Sequence, residues 1–431
     1  MHPRKLTPFL APAVLAGLLA GCGDDASSDW TPPVDGGGWQ DGTSGADGSA
    51  DAGHDGAMEA AFDAKSDAAQ DASEPPADAA VDVAPDAPPP VEYSFVAFAD
   101  NQFATSSCTS GVPERLAIPK AILKLGAKFA IEAGDLMDHG YEDGSYEKLV
   151  SCYQDMIASI PFFPAPGNHD MSSSGLNKFK PFLEAQLQTR NPAAYGADYA
   201  KDFSVVYGDD PNTYSKNPSD PGPTTDVPSG FSWETFYAFR YANAYFLSFE
   251  QGTRWWTNTP KSWVEKHLKA ARADSTIDHV FVYMHHPMYS STMAETGDSE
   301  CIAPVRKHYE ALFRQYDVTV VFSGHAHFYD HFYVPDDGHA TRGMASPYPH
   351  DGAGVHYMVT GGGGGPLPNS DCDPMPGEQQ DVSHAFGQAR GCGYHVTHVK
   401  VSGKKLAIDV VGVDGSESSF TTSTMDSFKI E

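Results

Sequence analysis

Basic residues are scarce in this chain: 28 lysines and arginines stand against 57 aspartates and glutamates, for a formal charge of −29. An acidic surface gives little electrostatic grip on a phosphate backbone, so nucleic acid is not expected as a partner. Long apolar runs are missing too. The best one, Leu6 to Ala20, is interrupted by Pro8 and Pro12 and is too short for a comfortable membrane span. Past Cys22, the cysteines Cys108, Cys152, Cys301, Cys372 and Cys392 form no Cys-x-x-Cys pair, which leaves a zinc–thiolate site without support. Their number is odd, so disulfide pairing leaves at least one thiol over, and the spacing alone decides no pairing. The Gly361–Gly365 run is followed by no Gly-Lys-Ser/Thr, which excludes a P-loop.

One stretch lacks nearly everything a core needs. From Gly23 to Glu92 the aromatics are Trp30, Trp39 and Phe62, and seventeen acidic residues face one lysine, Lys65. Such a segment cannot bury enough apolar surface to offset its chain entropy, so 23–92 is expected to be a disordered linker. It carries more than half of the net charge, so the overall acidity says little about any site in the remainder. The first 22 residues read as a targeting segment, with Arg4 and Lys5 ahead of the apolar run. Leu19-Ala20-Gly21-Cys22 resembles the lipobox of bacterial lipoproteins, which implies acylation of Cys22 and a place at the cell envelope, periplasmic or extracellular. A tether of that composition spans roughly 45–50 Å by random-coil scaling.

Residues 93–431 are expected to fold as one large domain. Tyr93 to Ala99 is a short apolar run ending at Asp100, the pattern of a buried strand that delivers a carboxylate at its C-terminal end. Pro113 to Leu125 has helical spacing and a stop at Gly126. Lys128 to Ala133 is a second strand running into Gly134-Asp135, Tyr146 to Ile160 reads as one helix, and Phe162 to Ala165 leads to Gly167-Asn168-His169-Asp170. The stretch from Gln186 to Ser232 lapses into Asn, Asp, Pro, Gly and Tyr and reads as an inserted loop or cap. Order returns with a hairpin turning at Asn243, a helix at 261–271, strands at 279–284, 318–322 and 357–360, and two final strands at 395–401 and 406–413. Strands alternating with helices, with polar residues at the strand ends, indicate an α/β fold.

Five apolar runs end in metal-capable residues: Asp100 with Gln102, Asp135, Asn168 with His169, His285, and His325 with His327. Singly, each has a plain structural reading as a turn, a cap or a hydrogen-bonded core histidine. As an ordered set they resemble the five motifs of calcineurin-like metallophosphoesterases. The matching segments are Asp100-x-Gln102, Gly134-Asp135-x-x-Asp138, Gly167-Asn168-His169-Asp170, Met284-His285-His286-Pro287 and Gly324-His325-x-His327. The resemblance covers about Phe95 to Phe328, and the glycine-rich Val359–Leu367 is similar to a loop that follows the last ligands in many relatives.

The resemblance implies a sandwich of two packed mixed β-sheets flanked by helices. It also implies two divalent transition metals (Mn, Fe or Zn), one held by Asp100, Gln102, Asp135 and His327, the other by Asp135, Asn168, His285 and His325. Oxygen donors mixed with imidazoles suit those metals, and a water or hydroxide between them becomes a nucleophile near neutral pH. His169 would protonate the leaving oxygen or stabilise its charge, with Asp170 orienting its imidazole, and His286 would either touch substrate or pack. Two positions depart from the pattern. Gln102 replaces the usual His of the first motif, and Asp138 stands where purple acid phosphatases carry an iron-binding Tyr. The implied activity is hydrolysis of phosphoric esters, with a phosphatase ahead of a phosphodiesterase or pyrophosphatase on nucleotide-like substrates. A non-catalytic envelope binding lipoprotein is the rival of another class.

Overall fold

Two β-sheets face each other across an aromatic core, and several of their strands are apolar on both faces. In the second sheet, Phe246 of strand β7 (Ala244–Phe249) and Phe281 and Tyr283 of β8 (His279–Tyr283) point toward the first sheet. Their neighbours Tyr245, Leu247, Val280 and Val282 point the other way into a second cluster. The period of two in a strand puts alternate residues on opposite faces, so a strand buried on both reads as an unbroken apolar run. Trp263 and Leu268 of one helix (Asn258–Ala273) and Tyr309 and Phe313 of another (Ile302–Gln315) cover that outer layer. Between the sheets, the Phe95 ring lies 5.3 Å from Phe129, 5.1 Å from Phe246 and 5.0 Å from Phe281, centroid to centroid. Fully burying one such side chain is worth about 1.5–3 kcal/mol.

The computed structural model describes residues 91–109, 111–171, 175–188, 203–206, 214–215, 235–249, 258–291, 302–350, 353–367 and 385–431. The leader with Cys22 and the linker up to residue 90 lie outside the described residues, as does most of the insert expected at 186–232. The first sheet has the order β15-β14-β13-β1-β2-β3, and the second β12-β10-β11-β9-β8-β7-β6-β4-β5. Here β1 is Glu92–Phe98, β2 Ala130–Glu132, β3 Phe162–Pro164, β4 Phe203–Val206, β5 Tyr214–Ser215 and β6 Phe236–Tyr241. Following β8 come β9 Val320–Ser323, β10 Tyr329–Pro335, β11 Gly354–Thr360 and β12 Gly387–Gly391, then β13 His395–Ser402, β14 Lys405–Ser416 and β15 Ser419–Ile430. This is the two-sheet α/β sandwich anticipated above.

Topology places the motifs. Strands β1, β2 and β3 are mutually parallel, as are β7, β8, β9 and β11. Loops at the C-terminal ends of β1, β2, β3, β8 and β9 carry Asp100, Asp135, Asn168, His285 and His325. Ligands gather outside the carboxyl ends of strands in open α/β sheets, and these ends meet across the sandwich. Backbone bonds lock the loops together: Asp100 N–H donates to the Gly134 carbonyl (3.0 Å), Gln102 N–H to Asp135 (2.9 Å) and Gly324 N–H to His285 (2.8 Å).

Two local expectations need correction. The single helix read at Tyr146–Ile160 is two, Ser145–Cys152 and Gln154–Ser159, broken at Tyr153 with φ −102° and ψ 15°. Tertiary demands break it: Cys152 is disulfide-bonded to Cys108, and Tyr153 is fully buried with its hydroxyl accepting from the Asn101 amide. The insert at 186–232 is not all loop. Phe203–Val206 pairs antiparallel with β6 and extends the second sheet, which a four-residue run among Asn, Asp and Pro does not announce.

Candidate metal centre

Four of the six non-glycine residues with left-handed backbone among the described residues belong to the expected ligand set. They are Asp100 (φ 61°), Gln102 (φ 46°), Asp135 (φ 62°) and His325 (φ 69°). Each such residue is costly, on the order of 1–3 kcal/mol, and persists where the surroundings over-determine it. Tight turns directly after strands turn these side chains back over the strand ends. The close approach also needs glycine. A Cβ on Gly167 would collide with the Asp135 carboxylate, and one on Gly324 would lie 2.5 Å from Asp100 Oδ2.

The seven expected ligands form a closed ring of contacts. Asp100 Oδ1 lies 3.4 Å from His327 Nε2, which lies 3.2 Å from the Gln102 amide, itself 3.4 Å from Asp135 Oδ2. From there His285 Nε2 is 3.3 Å away, Asn168 Oδ1 is 2.9 Å from His285 Nε2, and His325 Nδ1 is 3.1 Å from Asn168 Oδ1. The His325 backbone N–H closes the ring on Asp100 Oδ1 at 3.0 Å. Rotating the Gln102 amide exchanges nitrogen for oxygen at the same point, so an oxygen donor is available there.

The imidazoles are pinned from outside. His285 Nδ1 meets the Ala133 carbonyl at 3.0 Å and His327 Nδ1 the Pro366 carbonyl at 2.6 Å. A carbonyl only accepts, so each Nδ1 carries its proton and each Nε2 is left facing the ring, the arrangement a metal-ligating histidine takes. The glycine-rich stretch sets part of this: Gly363 N–H donates to the Ala99 carbonyl (2.8 Å) and Gly365 N–H to that of Asp100 (2.6 Å).

The charge pattern suits cations. Burial opposes charge on His285 and His327, but Asp135 and Asp100 outweigh it and raise both pKa values to about 9. For His325 burial wins, helped by His285, and the pKa falls to about 3. Burial also opposes the charge on Asp135, yet His285 and His169 hold its carboxyl far below the usual range. Asp100 Oδ2 is buried and has no hydrogen-bond partner among the described residues, where ligand atoms of Asp100, Asp135 and His285 all lie within 4.8 Å of one another. An orphaned carboxylate oxygen amid converging donors fits a bound cation.

The expected roles of three residues divide. His169 stands at the rim, its side chain 35% exposed, with Nε2 3.9 Å from Asp135 Oδ2 and its backbone N–H donating to Asp135 Oδ1 (2.9 Å). Asp170 does not orient it. The Asp170 carboxylate accepts from the backbone of Leu136 (3.1 Å), Met137 (3.2 Å) and Gly167 (3.0 Å) and from the Tyr146 hydroxyl (3.0 Å), which fills its four lone-pair directions. It ties the two motif loops together beneath the ring. His169 Nδ1 is held instead by the Asp138 carbonyl at 2.7 Å, with the Asp138 carboxylate 3.7 Å away. Sequence reasoning missed this role for residue 138, because the contact is made by a backbone carbonyl that no side-chain type announces. His286 is buried, and its ring packs against those of His325 (4.4 Å) and His285 (5.1 Å). Burial drives its pKa well down, so it is a neutral packing residue behind the ring.

A segment of 144 residues is 30% identical to a phosphoenolpyruvate phosphatase of Allium cepa, covering 33% of this chain and 29% of that protein. Another of 138 residues is 29% identical to the Fe(3+)-Zn(2+) purple acid phosphatase 12 of Arabidopsis thaliana, covering 31% and 29%. Among solved structures, the purple acid phosphatase PPD1 from yellow lupin seeds superposes with a TM-score of 0.55 at 17% identity, over 79% of this chain and 54% of that one. The chain thus spans under a third of those two curated relatives and about half of the solved one. The model of the calcineurin-like phosphoesterase family matches residues 94–329, more than half of the chain and every motif of the ring. The chain belongs to the calcineurin-like phosphoesterase family.

Proposed function

We propose that this chain is a phosphatase that hydrolyses phosphoric esters at the seven-residue ring, and the closed circuit of donors is the observation that carries the reading. Asp100, Gln102, Asp135 and His327 would hold one divalent metal, and Asp135, Asn168, His285 and His325 a second, with Mn, Fe and Zn as candidates. When bound, such ions activate water near neutral pH and screen the phosphoryl oxygens. The chain's own groups do the rest. His169 presents Nε2 at the open rim and donates a proton to the leaving oxygen. Burial works against its charge, but in the metal-free chain Asp135 and the Asp138 carbonyl overcome that and raise its pKa. The Asp138 carbonyl fixes the tautomer, and Asp170 keeps the two loops in register.

The test is metal content and turnover together. Two metals per chain after reconstitution with Mn, Fe or Zn, with release of p-nitrophenol from its phosphate monoester, is the expected result. Faster turnover of the bis-ester would favour a phosphodiesterase, and neither metal nor turnover would leave only a binding role.

Gln102 makes the two sites unequal. An amide oxygen is a harder, weaker donor than imidazole, so the site with His327 as its one nitrogen donor favours Mn and empties first on dialysis. Gln102→His is expected to tighten that site and move its preference toward Zn or Fe in calorimetric titrations of the metal-free protein. Unchanged affinities would place Gln102 outside the ligand set.

Anchoring at a bacterial envelope through Cys22 rests on Leu19-Ala20-Gly21-Cys22. Among the described residues no helix is long and apolar enough to cross a membrane. Cys22→Ser is expected to abolish lipid labelling and move the protein out of the membrane fraction; a wild type that already fractionates as soluble would refute the anchor.

A further inference from the structure

The loop after β2 is buried at its start, Leu136 and Met137 completely so. From Asp138 onward it reaches the surface: the Asp138 side chain is 40% exposed, that of His139 47% and Tyr141 39%, next to the His169 side chain of the neighbouring loop at 35%. Contacts join them into one row. The Asp138 carbonyl holds His169 Nδ1, the Asp138 carboxylate lies 3.1 Å from His139 Nδ1, and the His139 and Tyr141 rings meet edge to face at 5.4 Å. Between them Gly140 N–H donates to the His169 carbonyl at 3.2 Å, which bolts this loop to the segment bearing His169.

The row is rigid. The His139 carbonyl accepts from Glu142 N–H (3.1 Å) and from Ser145 Oγ (3.1 Å), and Thr105 donates to the Glu142 carboxylate. An exposed tyrosine whose ring is braced by a neighbouring imidazole, on a backbone held at each end, offers a fixed apolar face at little ordering cost.

On the reading that His169 serves the leaving oxygen, we propose that His139 and Tyr141 form the leaving-group subsite and select phosphoesters whose leaving group is planar and aromatic, aryl or nucleobase-bearing, over alkyl ones. Tyr141 supplies the face and His139 holds it in place. Neither touches the reacting phosphorus; their effect is on which ester is held with its oxygen at His169.

Binding of phosphonates, in which carbon replaces the ester oxygen, tests this without turnover. The Mn-reconstituted full chain is titrated calorimetrically with benzylphosphonate and with ethylphosphonate. Wild type is expected to prefer the benzyl compound by roughly ten-fold, the scale of one aromatic pair. Tyr141→Phe is expected to keep that preference and Tyr141→Ala to lose it while still binding ethylphosphonate. An equal preference in Tyr141→Ala, no preference in wild type, or no binding of either compound would overturn the subsite. Turnover of p-nitrophenyl phosphate is scored separately. A retained benzyl preference without turnover would remove the hydrolase reading and leave the subsite standing.

Discussion

His169→Asn is expected to lower kcat by roughly 10²–10⁴-fold, the range for loss of a positioned general acid, with the metal complement unchanged. The separation follows from position. His169 Nε2 is 3.9 Å from Asp135 Oδ2 and takes no part in the closed circuit that runs from Asp100 through Asn168 to His325. Asparagine keeps a polar side chain at the rim but has no proton to give at neutral pH. The deficit is therefore expected to grow with the basicity of the leaving group, small for p-nitrophenol and large for an alkyl alcohol. Rates for a series of phosphate esters with rising leaving-group pKa, measured for both proteins alongside metal analysis, decide it. An equal deficit across the series, or lost metal, would make His169 a structural residue of the centre.

The parts of the fold readable beforehand are those specified by short-range pattern. Strands buried on both faces show as unbroken apolar runs, as in His279–Tyr283, and the loop residues after them are set by tight turns whose glycines and polar residues are local in sequence. The ligand ring was legible for that reason, since each motif follows a strand within a few residues. What escaped was decided by distant partners. Helical periodicity runs through Tyr153, and only the Cys108–Cys152 bond and the buried Asn101–Tyr153 contact break it. Strand β15 carries Ser and Thr on both faces and is largely exposed over 419–427, so pairing with β14 makes it a strand while its own pattern does not. The resemblance points to Asp170 as the partner of His169, whereas the imidazole Nδ1 meets the Asp138 backbone carbonyl. The four donors that surround the Asp170 carboxylate come from two loops and a helix, and that geometry leaves Asp138 as the partner.

Asp135→Asn is expected to have the largest effect of any single change at the centre. Its carboxylate is the one group shared by both proposed metals, and it contacts the Gln102 amide, His285 Nε2 and the His169 backbone. Removing a charge that neutralises two dications is expected to leave no retained metal and to cut turnover about 10³-fold or more, the scale of several kcal/mol of transition-state stabilisation. The metal-free protein gives an independent reading. His285 and His327 have pKa values of about 9, raised above the ordinary 6.5 because Asp135 and Asp100 outweigh burial. A raised pKa contributes stability that is fully present below the unfolded value and is lost as pH climbs through the folded one. The chelated wild type is therefore expected to lose thermal stability between about pH 6.5 and 9, a window bounded by those two values. In Asp135→Asn the His285 share of that slope is expected to vanish, with a lower Tm at neutral pH. Because ligation needs neutral imidazoles, Mn binding to wild type at pH 7 is also expected to release protons and to tighten toward pH 9. Calorimetry in buffers of differing ionisation enthalpy measures the release, and a melting series on the chelated proteins measures the slope. Full metal occupancy in Asp135→Asn would show that Asp135 does not bridge the metals, and a flat Tm profile for chelated wild type across that window would show that it does not charge His285.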